Sequence, residues 1–139
     1  MKKILCIGEA LIDMVCIDKN HTLNNGVNFL KKAGGAPTNV AATIATLGGK
    51  VDLFAKVGND PFGTHLIETM KDFGVCTDFI FKDVSTFTTL AFVSLMENGE
   101  RDFYFNRGAD AFLNVTDLDA IQLNNYDIIH FGSATAFLS

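Results

Sequence analysis

The sequence predicts an α/β fold, in which buried strands alternate with amphipathic helices. Residues 4–7 and 127–131 are short apolar runs, each followed by a glycine, and are typical of strands covered on both faces. Between them, apolar residues recur at helical spacing in residues 38–47 and again in residues 62–73. This order of elements favours a parallel sheet with crossover helices.

The region before the first helix contains a second apolar run. Residues 11–17 are apolar except for Asp13, and a polar turn signal follows at residues 24–26. The first predicted helix, residues 38–47, is preceded by a Gly-Gly-Ala-Pro segment. Its stop signal is Gly48.

The second helix has clear signals at both ends. Residues 51–57 alternate in polarity as a strand does, and Asp60 then offers a good N-cap. Pro61 suits the first helical position, and Gly74 ends the helix.

A β-hairpin is predicted over residues 88–96 and 101–106, which are rich in aromatic and β-branched residues. Asn98-Gly99 between them favours a type I′ turn, which needs a positive φ at both central residues. Thr116 begins a short predicted helix before the last strand.

Composition indicates an ordered globular protein. The chain has 139 residues, 48% of them hydrophobic, with 11 Lys+Arg, 16 Asp+Glu and a formal net charge of −5. Scattered basic residues argue against a nucleic-acid partner. No run is long enough for a signal segment or a membrane span, so we expect a cytoplasmic protein.

The cysteines and histidines show no metal spacing. Cys6, Cys16 and Cys76 lie far apart, which is typical of small buried thiols rather than a zinc or dithiol site. We expect His65 to be exposed on its helix and His130 to be a core histidine.

The chain ends a few residues after its last predicted strand. Parallel strands are normally followed by a crossover helix, and none follows here. We therefore expect a truncated or split polypeptide.

A first candidate site is the glycine pair Gly34-Gly35, which allows a close approach of the backbone. The helix that follows presents N–H donors at its start. Asn39, one turn further, could bind adjacent sugar hydroxyls. The alternative is a simple glycine turn with an asparagine on a helix face.

Asp13 is a second candidate because a carboxylate within an apolar run is costly unless it is paired. It follows the first strand, where open α/β sheets place their ligand crevice, and it could accept hydrogen bonds from sugar hydroxyls. A solvent-facing carboxylate is the alternative.

The aromatic hairpin is a third candidate. Phe92, Phe103 and Phe105 leave both of its faces apolar, so each face needs a cover, which could be a ligand or a second subunit. Arg107 could donate a forked pair of hydrogen bonds to a polar ligand. Core packing with a surface arginine is the alternative. Nearby, residues 108–110 are interpreted as a cap for a helical turn at Ala111-Phe112.

Taken together, these motifs resemble the phosphofructokinase-B type of ribokinase-like carbohydrate kinases, most of all the bacterial fructokinases. The first signature of that family is matched at every required position by residues 34–41, Gly48 and Gly58. Further motifs agree in order along the chain: Gly8-Glu9 with Asp13, Val57-Gly58 with Asp60 and Phe62-Gly63, and residues 98–110.

The resemblance implies a three-layer α/β/α sandwich in which residues 1–139 form the N-terminal portion. Residues 11–33 and 86–107 would form a small β-lid within it. Asp13, Gly34, Gly35 and Asn39 would bind the sugar, with Phe92 and Phe105 closing the pocket and Arg107 contacting the sugar. Lids of this kind often pair, which implies a homodimer.

The family's reaction transfers the γ-phosphoryl group of MgATP to a primary sugar hydroxyl. The second signature of the family, with its catalytic base and nucleotide site, has no counterpart here. The resemblance therefore implies that ATP and Mg²⁺ serve the complete enzyme and that the isolated chain binds sugar without catalysis. Two other readings stay open: a non-catalytic sugar-binding or lid-mediated assembly module, and a kinase for 2-keto-3-deoxygluconate, whose carboxylate Arg107 would suit.

Overall fold

The computed structural model describes residues 1–136, which form two four-stranded sheets and two α-helices. The elements in chain order are β1 (Lys3–Ile7), β2 (Leu11–Cys16), β3 (Phe29–Gly34), α1 (Ala36–Thr46), β4 (Lys50–Gly58), α2 (Pro61–Phe73), β5 (Ile80–Asp83), β6 (Leu90–Leu95), β7 (Arg101–Asn106) and β8 (Ile128–Phe131). Three short 3-10 helices lie between β7 and β8, at Ala109–Phe112, Val115–Ala120 and Leu123–Asn125. The predicted α/β class is confirmed.

The first sheet is parallel, in the order β5-β4-β1-β8. Cys6 and Leu53 point to the side covered by the two helices, and both are fully buried. Leu5 and Phe54 point to the opposite side, where the 3-10 segments supply the cover. Side chains alternate along each strand, so β1 and β4 are buried on both faces.

Both long predicted helices are present, and the short helix predicted from Thr116 is a 3-10 helix, Val115–Ala120. The first, α1, begins two residues earlier than the apolar spacing indicates. The second, α2, begins after Asp60, whose carboxylate accepts a hydrogen bond from the Gly63 amide at 2.8 Å. It ends at Gly74, which adopts a left-handed conformation with φ of 93°. Within residues 1–136, no helix is long and apolar enough to cross a membrane.

The second sheet has the order β3-β2-β6-β7. It contains the predicted hairpin and the predicted strand around Asp13, and it falls within the two segments expected to form a lid, apart from Gly34. The sequence analysis does not identify β3, because exposed Lys31 and Lys32 give this edge strand the appearance of a polar linker. Strand β5 is missed as well, since four residues are too few for a periodic signal.

The turn of the β6–β7 hairpin differs from the expected type I′. Gly99 has a φ of 86°, but Asn98 does not share this left-handed conformation, since Asn20 is the only such non-glycine residue between residues 1 and 136. The Gly99 amide donates to the Met96 carbonyl at 2.9 Å, and the Asn98 side chain accepts from the Glu100 amide at 2.9 Å. These contacts favour a turn closed by one left-handed glycine.

Strand β8 is not buried on both faces as predicted. It pairs with β1 and is the last strand of the sheet, so Ile128 and Phe131 are 46% and 71% exposed. His130 is half-buried on this edge rather than a core histidine. His65, predicted to be exposed, is also half-buried.

The cysteines largely follow the expectation of buried thiols. Cys6 and Cys16 are buried and Cys76 is half-buried, and all three are free. Burial raises the pKa of the Cys6 thiol to about 11, so it stays protonated at neutral pH.

Asp60 also ties the start of α2 to the segment that leads into β6. Its carboxylate accepts from the Thr88 amide and from the Thr88 hydroxyl, both at 2.7 Å. Burial acts to raise the pKa of Asp60, but the hydrogen bonds from Gly63 and Thr88 outweigh it and hold the pKa below the ordinary value of 3.8. The charged form is therefore the one that stabilises the fold.

We predict that Asp60→Ala lowers the free energy of unfolding by about 1–2 kcal/mol at pH 7, because the helix cap and the Thr88 contacts are lost together. Urea denaturation measures the difference. A depressed pKa contributes stability above 3.8, and that stability disappears as the pH falls through the lower folded-state value. The difference in the free energy of unfolding between parent and variant should therefore disappear in acid.

Glu68→Ala is the matched control, since Glu68 is an exposed carboxylate on the same helix. It should change the free energy of unfolding by about 0.5 kcal/mol or less. Equal effects of the two substitutions would contradict the role given to Asp60.

Candidate functional site

The centre of the candidate site is the glycine turn, Gly34-Gly35, between β3 and α1. Gly35 is the N-cap of α1 and has a φ of 108°, a conformation that other residues rarely adopt. A Cβ atom on Gly35 would collide with the backbone carbonyl of Glu9. Glycine is thus required here by conformation and by space.

Asp13 lies directly against this turn. A Cβ atom on Gly34 would collide with the Asp13 carboxylate, so the small residue makes room for the charge. Burial raises the pKa of Asp13, and the charge of Lys32, its cross-strand neighbour, opposes that rise. None of residues 1–136 donates a hydrogen bond to this carboxylate, which leaves its oxygens available to a ligand.

The N-terminus of α1 is less open than expected. The Ala36 amide donates to Glu9 Oε1 at 3.1 Å, Pro37 has no N–H, and the Asn39 amide donates to the Gly35 carbonyl at 2.9 Å. The prediction that this helix start presents unused donors is therefore wrong at Ala36, and the Asn39 amide makes the ordinary helical bond to the N-cap carbonyl. A buried carboxylate occupies the place that an anion would otherwise take.

Asn39 lies one turn into α1 with an exposed side chain. Together with Ala33, it lines a hollow between α1, α2 and the second sheet, and it also lines a groove along α1. It is close to the glycine turn along the chain, and its part in sugar binding stays a prediction.

The second sheet places only one of the two predicted aromatic residues on the face that carries Asp13. Asp13 lies opposite Ala91, and Ala91 lies opposite Phe105, so these three side chains share a face. Phe92 is the next residue along β6 and points to the other face. Contrary to expectation, Phe92 and Phe105 do not close one pocket, because neighbouring residues of a strand alternate between faces.

Phe92 lines a separate hollow of about 290 Å³, whose other lining residues are Leu23, Phe29 and Tyr104. The ring of Phe105 stacks on that of Phe103, with centroids 6.4 Å apart. An aromatic face of this kind suits the apolar side of a sugar ring.

Arg107 lies in a different hollow, of about 440 Å³, between the end of β7 and the ends of β1 and β8. Its Nε donates to Asp110 Oδ2 at 3.1 Å. Glu9 and Thr135 are among the residues that line this hollow with Arg107. Asp13 and Asn39 do not line it. The structure thus groups Asp13 with the glycine turn and Phe105, and places Arg107 in a neighbouring polar hollow.

The prediction that residues 108–110 cap a short helical turn holds for Gly108, which is the N-cap, but not for Asp110. Asp110 does not cap the turn, because its carboxylate is buried and accepts from the Thr89 hydroxyl, from Arg107 and from the Thr135 hydroxyl. The sequence signal for this ion pair is an acidic residue three positions after an arginine.

In the sequence, Glu9 stands out only as part of the Gly8-Glu9 motif. In the structure it is 3% exposed and holds the start of α1. Burial acts to raise the pKa of Glu9, but hydrogen bonds from Ala134, Ser133 and Ala36 outweigh it and lower the pKa overall. Its position after the first strand, at the carboxyl end of a parallel sheet, was a signal for a role near the site.

Across residues 1–136, no three His, Cys, Asp or Glu side chains lie close enough together to hold a metal ion. The arrangement can instead bind a neutral, hydroxyl-rich molecule, through a carboxylate without internal donors, a tight backbone turn and an aromatic face.

Comparison with known proteins finds similarity to fructokinases. The chain is 40% identical over 132 residues to a fructokinase of Solanum tuberosum, covering 94% of this chain and 41% of that protein. The structure of Xylella fastidiosa fructokinase with bound ATP superposes with a TM-score of 0.72 and 42% identity, over 84% of this chain and 37% of that one. Fructokinase of Halothermothrix orenii superposes with a TM-score of 0.84 and 29% identity, over 93% and 45%.

The chain therefore spans less than half the length of the relatives it matches. Its whole length, residues 1–139, matches the model of one family, described as pfkB family carbohydrate kinase. The α/β architecture agrees with that match. On this evidence, the chain belongs to the pfkB family of carbohydrate kinases.

Proposed function

We propose that the chain is the sugar-binding part of a fructokinase, an enzyme that transfers the γ-phosphoryl group of ATP to a primary hydroxyl of fructose. The family match and the similarity to fructokinases support this reaction class. The observation that carries the sugar-binding part is the half-buried Asp13 carboxylate, which is packed against Gly34 and receives no hydrogen bond from residues 1–136. Burying a charge in this way is costly unless a ligand supplies donors.

In this proposal the chain's residues bind and orient the sugar. Asp13 accepts hydrogen bonds from two sugar hydroxyls, and the glycine turn lets the sugar approach the backbone. Phe105 covers the apolar side of the ring and excludes water, which protects a reactive phosphoryl donor from hydrolysis. The catalytic base and the nucleotide pocket are expected outside these 139 residues, so this chain alone transfers no phosphate.

Fructose is favoured over 2-keto-3-deoxygluconate by the charges around Arg107. The guanidinium is already paired with buried Asp110, and the Glu9 carboxylate lines the same hollow. A substrate carboxylate would have to share one cation with two anions, which is electrostatically unfavourable. A neutral sugar avoids this cost.

We predict that Asp13→Asn weakens fructose binding by at least about tenfold, because each hydrogen bond to a charged acceptor contributes about 1.5–3 kcal/mol. Isothermal titration calorimetry on the 139-residue chain measures the effect, with and without ATP. The affinity of the parent should fall in acid, beginning above pH 3.8, because the raised pKa of Asp13 brings protonation into that range.

Asp119→Asn is the matched control, since Asp119 is an exposed carboxylate outside both sheets, and it should bind like the parent. Tighter binding of 2-keto-3-deoxygluconate than of fructose would overturn the choice of substrate. Turnover of ATP and fructose by the purified chain, lost in Asp13→Asn, would overturn the proposal that catalysis needs further residues.

A second candidate function is assembly through the second sheet, acting as a lid that pairs with its copy. Its hairpin exposes large apolar side chains, with Leu95, Phe103 and Tyr104 exposed by 55%, 50% and 62%. Exposed aromatic groups on an edge hairpin favour a protein contact. A sugar-binding dimer would combine both functions.

We predict that the parent chain sediments as a dimer and that the double variant Phe103→Ser, Tyr104→Ser sediments as a monomer, because it removes most of the apolar contact area. Phe112→Ser is the control, since Phe112 is an equally exposed phenylalanine outside the hairpin. A monomeric parent at all concentrations, or a dimer unaffected by the double variant, would contradict lid pairing.

A further inference from the structure

Two buried carboxylates meet at one hydroxyl group beside the candidate site. Thr135 Oγ1 lies 2.7 Å from Asp110 Oδ2 and 3.3 Å from Glu9 Oε2. Glu9, Asp110 and Thr135 are exposed by 3%, 8% and 1%. We call this arrangement the Thr135 bridge.

Each end of the bridge reaches a different part of the site. On one side, Glu9 Oε1 accepts from the Ala36 amide, the first N–H of the helix that follows the glycine turn. It also accepts from the Ala134 amide at 2.8 Å. The Glu9 carbonyl accepts from the Thr38 hydroxyl at 2.9 Å, so this residue holds the first turn of α1 at two points.

On the other side, Asp110 holds the residues that follow the hairpin. Its Oδ2 accepts from Arg107 Nε, and its Oδ1 accepts from the Thr89 hydroxyl. The same Thr89 oxygen accepts from the Gly108 amide at 2.8 Å. Asp110 therefore joins Thr89, just before β6, to Arg107, just after β7.

A hydroxyl group is well suited to the point where these two sides meet. Thr135 has one proton and donates it best to Asp110, the nearer acceptor, while the Ala36 and Ala134 amides satisfy Glu9. The pKa of Glu9 is lowered by these amides against the effect of burial, so its charged carboxylate needs donors, and the Asp110 carboxylate forms an ion pair with Arg107. A methyl group in place of the hydroxyl would leave a buried carboxylate short of a donor.

We propose that Thr135 is a positioning residue that couples the glycine turn to the Arg107 end of the second sheet. The bridge runs from the Ala36 amide through the Glu9 carboxylate to the Ala134 amide, and from the adjacent Thr135 hydroxyl through Asp110 to Arg107. Contact of a sugar with the turn would therefore also order the hairpin end. This consequence rests on the proposed function, whereas the bridge itself does not.

The first test measures amide hydrogen exchange in Thr135→Val and Thr135→Ser without sugar. We expect Thr135→Val to speed exchange by about tenfold or more at both Ala36 and Gly108, which report on the two ends. Thr135→Ser keeps the hydroxyl and should restore the parent rates. Acceleration confined to residues 133–136 would show a purely local role and overturn the proposal.

Asp110→Asn provides a second variant, which keeps one acceptor oxygen, replaces the other with an NH2 donor and removes the charge paired with Arg107. Thermal unfolding shows whether either variant is folded. If Thr135→Val does not fold, Asp110→Asn tests the proposal in its place. We expect it to speed hydrogen exchange at the distant Ala36 amide. An effect at Gly108 alone would overturn the coupling.

The second test measures fructose affinity by calorimetry in the same variants. We expect Thr135→Val to bind about tenfold more weakly than the parent and Thr135→Ser to bind like the parent. If Thr135→Val exchanges its amides faster but binds fructose with the affinity of the parent, the claim that the bridge affects sugar binding would be overturned. Absence of binding by the parent would reject the proposed function, while the exchange data would still decide whether the bridge couples its two ends.

Discussion

The site depends on one buried charge at the carboxyl end of the first strand. The Glu9 carboxylate accepts the first amide of α1 and the Ala134 amide, and so joins both chain segments that approach β1. A buried carboxylate is tolerated only with such donors, and the hydrogen bonds to Glu9 more than compensate for the effect of burial on its pKa. Moving Glu9 would release the start of α1, and with it the glycine turn.

The glycine turn then sets the position of Asp13. Gly35 must be glycine because its φ is 108° and its Cα faces the Glu9 carbonyl, and Gly34 must be small because the Asp13 carboxylate lies against it. Asp13 then shares its face of the second sheet with Ala91 and Phe105. A carboxylate, a tight backbone turn and an aromatic ring are thus brought together by two adjacent glycines and one strand register.

Much of this could be predicted from sequence because the signals are local. Asp60 with Pro61 marked the start of α2, and Gly34-Gly35 marked a close backbone approach. The contacts that could not be predicted are long-range: Glu9 meets Thr135 across 126 positions. The separation of Phe92 from Phe105 follows from the register of β6 against β7, which a hairpin motif does not specify without its turn type.

The most direct measurement is an NMR titration of the chain, labelled with ¹⁵N and ¹³C, with fructose. The account predicts that the amide resonances of Gly34 and Gly35 and the ring resonances of Phe105 shift with one common dissociation constant, while those around Phe92 do not. Shifts confined to the hollow between Leu113 and Phe131, with the glycine turn unaffected, would contradict it.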